Sequence, residues 1–141
     1  LKAQGVRHEA THVVDILPTI LEATGSTYPD QVSGHEIQPL DGESLLSLLA
    51  GKNWQREQPI YWEHEGNRAI RDGQWKLVAG FNSPWELYNI STDRSEQHDL
   101  SSTQPERTQA MENAWNDYAS RAQVVAWEKI RPNKRKVERK K

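Results

Sequence analysis

The sequence predicts an α+β fold: a small antiparallel sheet of three to four strands with a long C-terminal helix packed on it, preceded by two short helices. Two observations lead to this prediction. Four short runs rich in aromatic and β-branched residues follow one another between Pro59 and Ile90, separated by glycines. A long stripe of apolar residues at helical spacing comes after them.

Two short helices are predicted in the first part of the chain. In VVDILPTILEATG the apolar residues recur at helical spacing, which indicates a helix at about 16–24 with Asp15 as its cap. In LDGESLLSLLAG the same pattern indicates a helix at about 43–50 with Asp41 as its cap. Residues 25–42 are rich in Gly, Ser, Pro and Asp, and we predict a surface loop there.

The predicted strands lie in the runs PIYWEHE, NRAIRDG, QWKLVAG and PWELYNI. Asp72–Gly73 is a strong hairpin signal, so consecutive runs should pair antiparallel. Apolar and charged residues alternate in the later runs, as they do in a half-buried sheet. The apolar face is expected to consist of Trp75, Leu77, Trp85 and Leu87.

The long helix is predicted at about 105–123. Thr103 and Glu106 have the spacing of a capping box, and Pro105 suits the first turn. A single stripe should bury this helix against the sheet. The stripe consists of Met111, Ala114, Trp115, Tyr118, Ala122 and Val125.

Composition excludes several classes of function. There are no cysteines, which excludes disulfides, zinc–thiolate sites and a thiol nucleophile. No apolar run is long enough to span a membrane. Residues 129–141 hold eight Lys or Arg against one Glu, which predicts a basic, disordered tail. The remaining residues carry ten basic against nineteen acidic side chains, so nucleic-acid binding by the folded part is not expected.

Most polar residues have a structural explanation. The aspartates are scattered at positions that suit caps and turns, and no carboxylate cluster has metal-ligand spacing. His12 is interpreted as a hydrogen-bonded structural residue, and His98 as part of a turn. The tryptophans are most simply core residues, although an exposed ring could also serve as a sugar- or aryl-binding platform.

The stretch WEHEG differs, because His64 is flanked by two glutamates at a strand end. Strand alternation places Trp62 and His64 on one face and Glu63 and Glu65 on the other. A protonated His64 could donate to an anion or shuttle protons, and arginine forks across the turn suit a sulfate or phosphate. Arg68 and Arg71 provide those forks. A salt-bridged turn without function is the alternative.

Five motifs in unbroken order resemble the C-terminal end of bacterial arylsulfatases, sulfatases of the alkaline-phosphatase superfamily. They are HVVDILPTILEATG, LDGESLLSLLAG, YWEHEGNRAIRDGQWKLV, PWELYNISTDRSEQHDLS and the helix around Trp115. The resemblance covers about residues 6–127. It implies that 1–58 is the end of a large α/β sulfatase domain and 59–128 a C-terminal subdomain of sheet and helix.

The resemblance also implies an activity and its cofactors. The family hydrolyses sulfate esters to an alcohol or phenol and sulfate, using a formylglycine made from a C/S-x-P-x-R motif and a calcium ion. This chain has no such motif: Ser83-Pro84 is followed by Trp85 and Glu86. No catalytic or metal-binding residue is therefore carried over. The fragment alone is expected to be inactive and cofactor-free, with calcium and formylglycine in the full-length parent.

The resemblance suggests a part for the hairpin at the active-site entrance. The candidate entrance residues are Glu63, His64, Asn67 and Arg68, which would contact substrate or the neighbouring domain. The expected partners are the N-terminal α/β catalytic domain of the same parent chain and a sulfate ester. Two alternatives stay open: a phosphoesterase or phosphonate hydrolase of the same superfamily, and a stand-alone carbohydrate-binding or interaction module. Either bacterial cytoplasm or periplasm would fit.

Overall fold

A computed structural model of the chain describes residues 5–130, and it confirms the predicted α+β fold with four strands. The described residues divide into two compact units with the boundary between Ile60 and Tyr61. We call them the first and the second unit. That the first unit is the end of a large α/β domain stays a prediction.

The first unit is built from short elements. A 3-10 turn leads directly into α1, which spans the predicted residues, and Gly25 ends this helix in the left-handed conformation. The predicted surface loop contains a two-stranded hairpin that the sequence analysis missed. In chain order the elements are the turn Val13–Asp15, α1 Ile16–Thr24, β1 Gln31–Val32, β2 His35–Glu36 and α2 Leu46–Leu49.

The second helix is shorter than predicted, and Asp41 is not its cap. It begins after Leu45, whose side chain makes no cap hydrogen bond. The preceding amides have tertiary acceptors instead: Glu43 N donates to Asp15 Oδ1 at 3.0 Å, and Leu45 N donates to Thr19 Oγ1 at 2.9 Å. Together with Ser44 Oγ, which accepts the N–H of Leu46 at 3.2 Å, these partners satisfy the backbone without Asp41.

Asp15 is the buried polar centre of the first unit. Its side chain is fully buried, and it forms an ion pair with Arg56 and accepts the amide N–H of His12 at 2.7 Å. Burial alone would raise the pKa of the Asp15 carboxyl, but Arg56 and the amides of Glu43 and His12 outweigh it and lower the pKa. The predicted capping bond to α1 is absent, because the carboxylate is engaged by these donors.

Arg56 and Gly42 fix the chain around this carboxylate. The Nε atom of Arg56 donates to the carbonyl of Ala10 at 3.0 Å, so one side chain holds two distant segments. A Cβ atom at Gly42 would lie 2.1 Å from the carbonyl oxygen of Val14. Only glycine fits where these two backbone segments approach so closely.

The apolar side chains of α1 are largely exposed. Ile16 and Ile20 are 55% and 52% exposed, and no residue of the helix is fully buried. Leu49 on α2 is also exposed, whereas Leu45 is half-buried. An amphipathic helix normally buries such a face, so this one lacks a covering partner among the described residues.

The second unit is an antiparallel meander with a helix on one face. The strands pair in sequence order, β3-β4-β5-β6, with registers such as Ile70↔Leu77 and Leu77↔Leu87. The strands and helices are β3 Ile60–His64, β4 Asn67–Asp72, β5 Trp75–Ala79, β6 Glu86–Asn89, α3 Pro105–Arg121 and α4 Trp127–Ile130.

The core of this unit lies between the sheet and α3. Five side chains form it: Ile70, Leu77, Leu87, Met111 and Trp115. Trp75 and Trp85 pack against this cluster, so the predicted apolar face of the sheet is confirmed. Tyr61 on β3 stacks on Tyr118 of α3 with ring centroids 4.2 Å apart.

Two predictions about α3 are wrong. Its N-cap residue is Gln104, and the Thr103 hydroxyl donates to the carbonyl of Leu100 at 3.0 Å, so no capping box forms. The helix ends at Arg121, which leaves Val125 on the following segment and 51% exposed. The predicted basic tail at 129–141 begins inside α4, and its remainder lies outside the described residues.

Candidate functional site

The turn between β3 and β4 is built by two of the candidate residues. Glu63 Oε1 accepts the N–H of Gly66 at 2.8 Å, and Asn67 Nδ2 donates to the carbonyl of His64 at 2.8 Å. Glu65 and Gly66 have φ values of 53° and 83°, as a tight two-residue hairpin turn requires. Glu63 and Asn67 therefore hold the turn rather than present free polar groups.

The same turn locates the loop after β5. Asn67 Oδ1 accepts the backbone N–H of Phe81 at 3.1 Å. A Cβ atom at Gly66 would lie 2.4 Å from Cδ2 of the Phe81 ring, so the ring is in close contact with the turn. Phe81 is thus fixed against the hairpin by a hydrogen bond and by close packing.

Arg68 is a stacked cation without an acidic partner. Its guanidinium carbon lies 4.5 Å from the ring centroid of Trp85 and 5.8 Å from that of Trp115. Its Nε atom is buried with no hydrogen-bond partner, and the side chain forms no ion pair within residues 5–130. Stacking on indole holds the guanidinium in place while its charge stays unneutralised.

The structure separates His64 from Arg68. Glu63 and Arg68 lie on the face that carries α3, whereas Trp62 borders a cavity on the opposite face together with Arg71. His64 has the same strand parity as Trp62, is exposed, and forms no ion pair with a described residue. The alternative explanation of WEHEG, a turn held by salt bridges of His64, is therefore not confirmed by the described residues.

A cavity of about 280 Å³ lies beside the hairpin on the α3 face. The sequence analysis named two of its residues as functional candidates, Glu63 and Arg68. The other polar and aromatic residues around it are Phe81, Asn82, Trp115, Trp127 and Glu128. Trp127 and Glu128 belong to the short helix α4, which has too few residues for a periodic signal in the sequence.

The cavity on the opposite face is more basic. It measures about 400 Å³ and is bordered by Trp62, Arg71, Lys76 and Glu96 among others. Lys76 Nζ pairs with Glu96 Oε1 at 2.5 Å, and Arg71 Nε donates to the carbonyl of Gly73 at 3.2 Å. Local partners thus engage both cations.

The carboxylate of Asp99 serves the backbone. Asp99 accepts the N–H of Leu87 at 2.9 Å and that of Ser101 at 2.8 Å. Burial opposes ionisation of Asp99, but these donors lower its pKa overall. Burial and the hydrogen bond to Glu86 raise the pKa of Tyr88 to about 12.

A calcium ion does not fit these groups. Across residues 5–130 no three potential ligand residues of the His, Cys, Asp and Glu types come together. Asp15 is committed to Arg56, and Asp99 to backbone amides. A calcium site needs six to eight oxygen ligands, so the ion that the resemblance implies has no site in this part of the chain. Over the same residues, no helix is long and apolar enough to cross a bilayer.

The known proteins whose sequences are similar to this chain are sulfatases. An uncharacterized sulfatase of Schizosaccharomyces pombe is 31% identical over 140 residues, which cover 89% of this chain and 24% of that protein. Arylsulfatase K of Danio rerio is 31% identical over 110 residues, covering 71% of this chain and 20% of the relative. No family model matches the chain.

A solved structure has the same fold. The crystal structure of Ps i-CgsB superimposes with a TM-score of 0.65 at 27% identity, covering 84% of this chain and 26% of that one. Ps i-CgsB has also been solved in complex with k-i-k-neocarrahexaose; that structure matches at 28% identity with a TM-score of 0.61, covering 80% of this chain and 25% of that one.

The segment that these proteins share with this chain is an α+β fold that forms part of much larger chains. The chain belongs to the sulfatase family. It spans 20% to 26% of the length of the relatives it matches here. The resemblance drawn from the five motifs is thereby confirmed at the level of the family.

Proposed function

We propose that this chain is the C-terminal part of an arylsulfatase, which hydrolyses a sulfate ester to an alcohol or phenol and sulfate. The observation that carries the proposal is the match to a sulfatase over 89% of the chain and 24% of the relative. The chain has neither a cysteine nor a C/S-x-P-x-R motif. In this proposal the formylglycine and the calcium ion belong to the N-terminal α/β catalytic domain of the complete enzyme.

The second unit would form a wall of the active-site entrance. Of the four candidate residues, Glu63 and Asn67 hold the hairpin turn, as their hydrogen bonds show. His64 is exposed and forms no ion pair with a described residue, and Arg68 borders the cavity on the α3 face. Their donors can bond to the oxygens of the substrate's leaving group. We therefore assign positioning to the first pair and substrate contact to the second.

A sulfated saccharide is the substrate class that this proposal favours. Ps i-CgsB, which shares the fold of this chain, is solved with the oligosaccharide k-i-k-neocarrahexaose. The aromatic and polar residues around the cavity on the α3 face suit a sugar ring better than a small aryl group alone, because they combine apolar walls with several hydrogen-bonding groups.

The first experiment compares the complete enzyme with this chain. The complete gene product should release sulfate from an aryl sulfate and from sulfated oligosaccharides, and the 141-residue chain should release none. Turnover by the chain alone would contradict the proposal. Preference for a phosphonate or phosphate ester would favour the phosphonate hydrolase alternative, and a complete gene product without either activity would favour a binding module.

The second experiment tests the hairpin. In the complete enzyme, His64→Ala should change KM or kcat at least about tenfold, because a donor to the substrate is lost. His98→Ala is the matched control, since His98 has a side chain that is 82% exposed and lies elsewhere in the same unit. If both variants keep the parent's kinetics and fold normally, the assignment of His64 to the entrance is wrong.

A further inference from the structure

We propose that the cavity on the α3 face is a binding subsite for an unsulfated sugar ring of the substrate. The inference deepens the proposed function and rests on it, because the ligand is a substrate only if the complete protein is a sulfatase enzyme. It concerns a ring adjacent to the one that carries the sulfate ester. Four features of the cavity support it: its walls, its fixed donor, its charge and the rigidity of its frame.

The walls are aromatic and only partly covered. Trp115, Phe81 and Trp127 all border the cavity; Trp115 is 7% exposed, and the other two are half-buried. Sugar rings carry patches of C–H groups that pack on such ring faces, whereas their hydroxyl groups need polar partners. With a volume of about 280 Å³ the cavity is sized for a single ring rather than for a longer chain segment.

Polar groups of both kinds stand around these walls. Arg68 can only donate, and its guanidinium is held by the rings of Trp85 and Trp115. Glu128 can only accept when ionised, and the amide of Asn82 does both. A hydroxyl group both donates and accepts, so a polyhydroxylated ligand matches this mixture.

The charge of the cavity argues against a sulfated ring. Glu63 and Glu128 bring two carboxylates, against the single guanidinium of Arg68. A sulfate group placed there would face more negative than positive charge and would lose hydration for little gain. A neutral ring avoids this penalty. The cavity on the opposite face has two cations, Arg71 and Lys76, against one carboxylate, Glu96, so its charge balance is less hostile to a sulfate.

The frame around the cavity is pre-organised. Glu63 and Asn67 hold the turn between β3 and β4. This turn fixes Phe81 through a backbone hydrogen bond and a close ring contact. Trp115 Nε1 donates to the carbonyl of Trp62 at 3.2 Å, which fixes the indole ring. A ligand entering this cavity therefore pays little to order the rings of Phe81 and Trp115, which favours affinity.

The direct test is a binding titration of the chain, followed by tryptophan fluorescence and by ligand-observed NMR. The probes are neutral hexasaccharides of galactose and of glucose, with inorganic sulfate for comparison. At least one neutral hexasaccharide should bind, and Trp127→Ala and Glu128→Ala should each weaken binding about tenfold or more. Trp62→Ala is the matched control, because Trp62 is a half-exposed indole on the other face of the sheet.

Two results would overturn the subsite. One is that none of the neutral hexasaccharides binds, or that only sulfate does. The other is that Trp127→Ala and Glu128→Ala bind as tightly as the parent chain. Kinetics of the complete enzyme separate this failure from failure of the proposed function. With a true subsite, Trp127→Ala raises KM about tenfold on a sulfated oligosaccharide. A parent enzyme that hydrolyses an aryl sulfate, with a Trp127→Ala variant whose KM on the oligosaccharide is unchanged, would have the proposed activity without the subsite.

Discussion

Replacing Asp15 by asparagine should destabilise the first unit severely while leaving its shape almost unchanged. The carboxylate is fully buried and meets Arg56 together with the amides of His12 and Glu43. The side chain of Arg56 is only 10% exposed, so the substitution removes the nearest counter-charge of a buried guanidinium and leaves only Glu43 Oε1, 3.9 Å from its Nη1 atom. Breaking a buried ion pair in this way costs about 3–5 kcal/mol.

We expect the lower end of that range, about 3 kcal/mol, because the amide oxygen of asparagine can still accept one of the hydrogen bonds. The folding equilibrium of the unit would fall roughly 150-fold. Hydrogen exchange measured by mass spectrometry locates the effect: amides in 10–24 and 41–58 should exchange faster, while those in 67–79 serve as the internal control.

Asp93→Asn is the matched variant for comparison. Asp93 also accepts two backbone amides, from Gln97 and His98 at 2.8 Å each, but within residues 5–130 it has no arginine partner, only His98 Nδ1 at 3.5 Å. Asp93→Asn should therefore lower the free energy of unfolding clearly less than Asp15→Asn does. If the two variants were equally stable, or if Asp15→Asn cost under about 1 kcal/mol, the ion pair would not hold the unit together.

The pH dependence gives an independent check with a defined sign. The pKa of Asp15 is lowered in the folded state, so the unfolded chain binds more protons in acid. The stabilisation by this carboxyl is complete above its unfolded pKa of about 4, and it is lost as the pH falls through the lower folded value. The stability gap between the parent and Asp15→Asn should therefore narrow below about pH 4.

Two further predictions concern single contacts. Gly42→Ala should destabilise the first unit by several kcal/mol in a urea titration, since its Cβ atom would lie 2.1 Å from the carbonyl oxygen of Val14. Gly80→Ala should destabilise the protein far less, because a Cβ atom there would lie 3.4 Å from its nearest neighbour, Ser83 Oγ. Equal destabilisation by the two variants would refute the steric argument. Because burial and Glu86 raise the pKa of Tyr88 to about 12, its stabilisation should be lost as the pH rises from about 10 through that value. Tyr88→Phe should remove this alkaline loss of stability, and an unchanged loss would contradict it.

The sheet and the long helix were predictable because their signals are local and periodic. Leu77 and Leu87 alternate with charged neighbours, and Met111 and Trp115 are four residues apart on one helical face. Caps were predicted poorly. Thr103 and Asp41 have the right residue types in the right places. The Thr103 hydroxyl instead donates to the nearby carbonyl of Leu100, and before α2 the amide of Glu43 is bound by the distant carboxylate of Asp15.

The candidate site was only partly accessible to sequence reasoning. The hairpin motif identified Arg68, but nothing in its neighbourhood revealed that Trp85 and Trp115 stack on it. Trp127 and Glu128 come from a distant short helix, and only the folded chain brings them beside the hairpin. The ion pair of Asp15 with Arg56 joins residues 41 positions apart, which no local pattern encodes.

The small hairpin of β1 and β2 offers a practical handle on the protein. Its four strand residues are exposed, and its tip is formed by Ser33 and Gly34, both with positive φ. The buried Asp15 with its partners lies outside this hairpin in the chain. A fluorophore or an affinity peptide grafted at Ser33 would therefore report on the first unit without touching the contacts that hold it together.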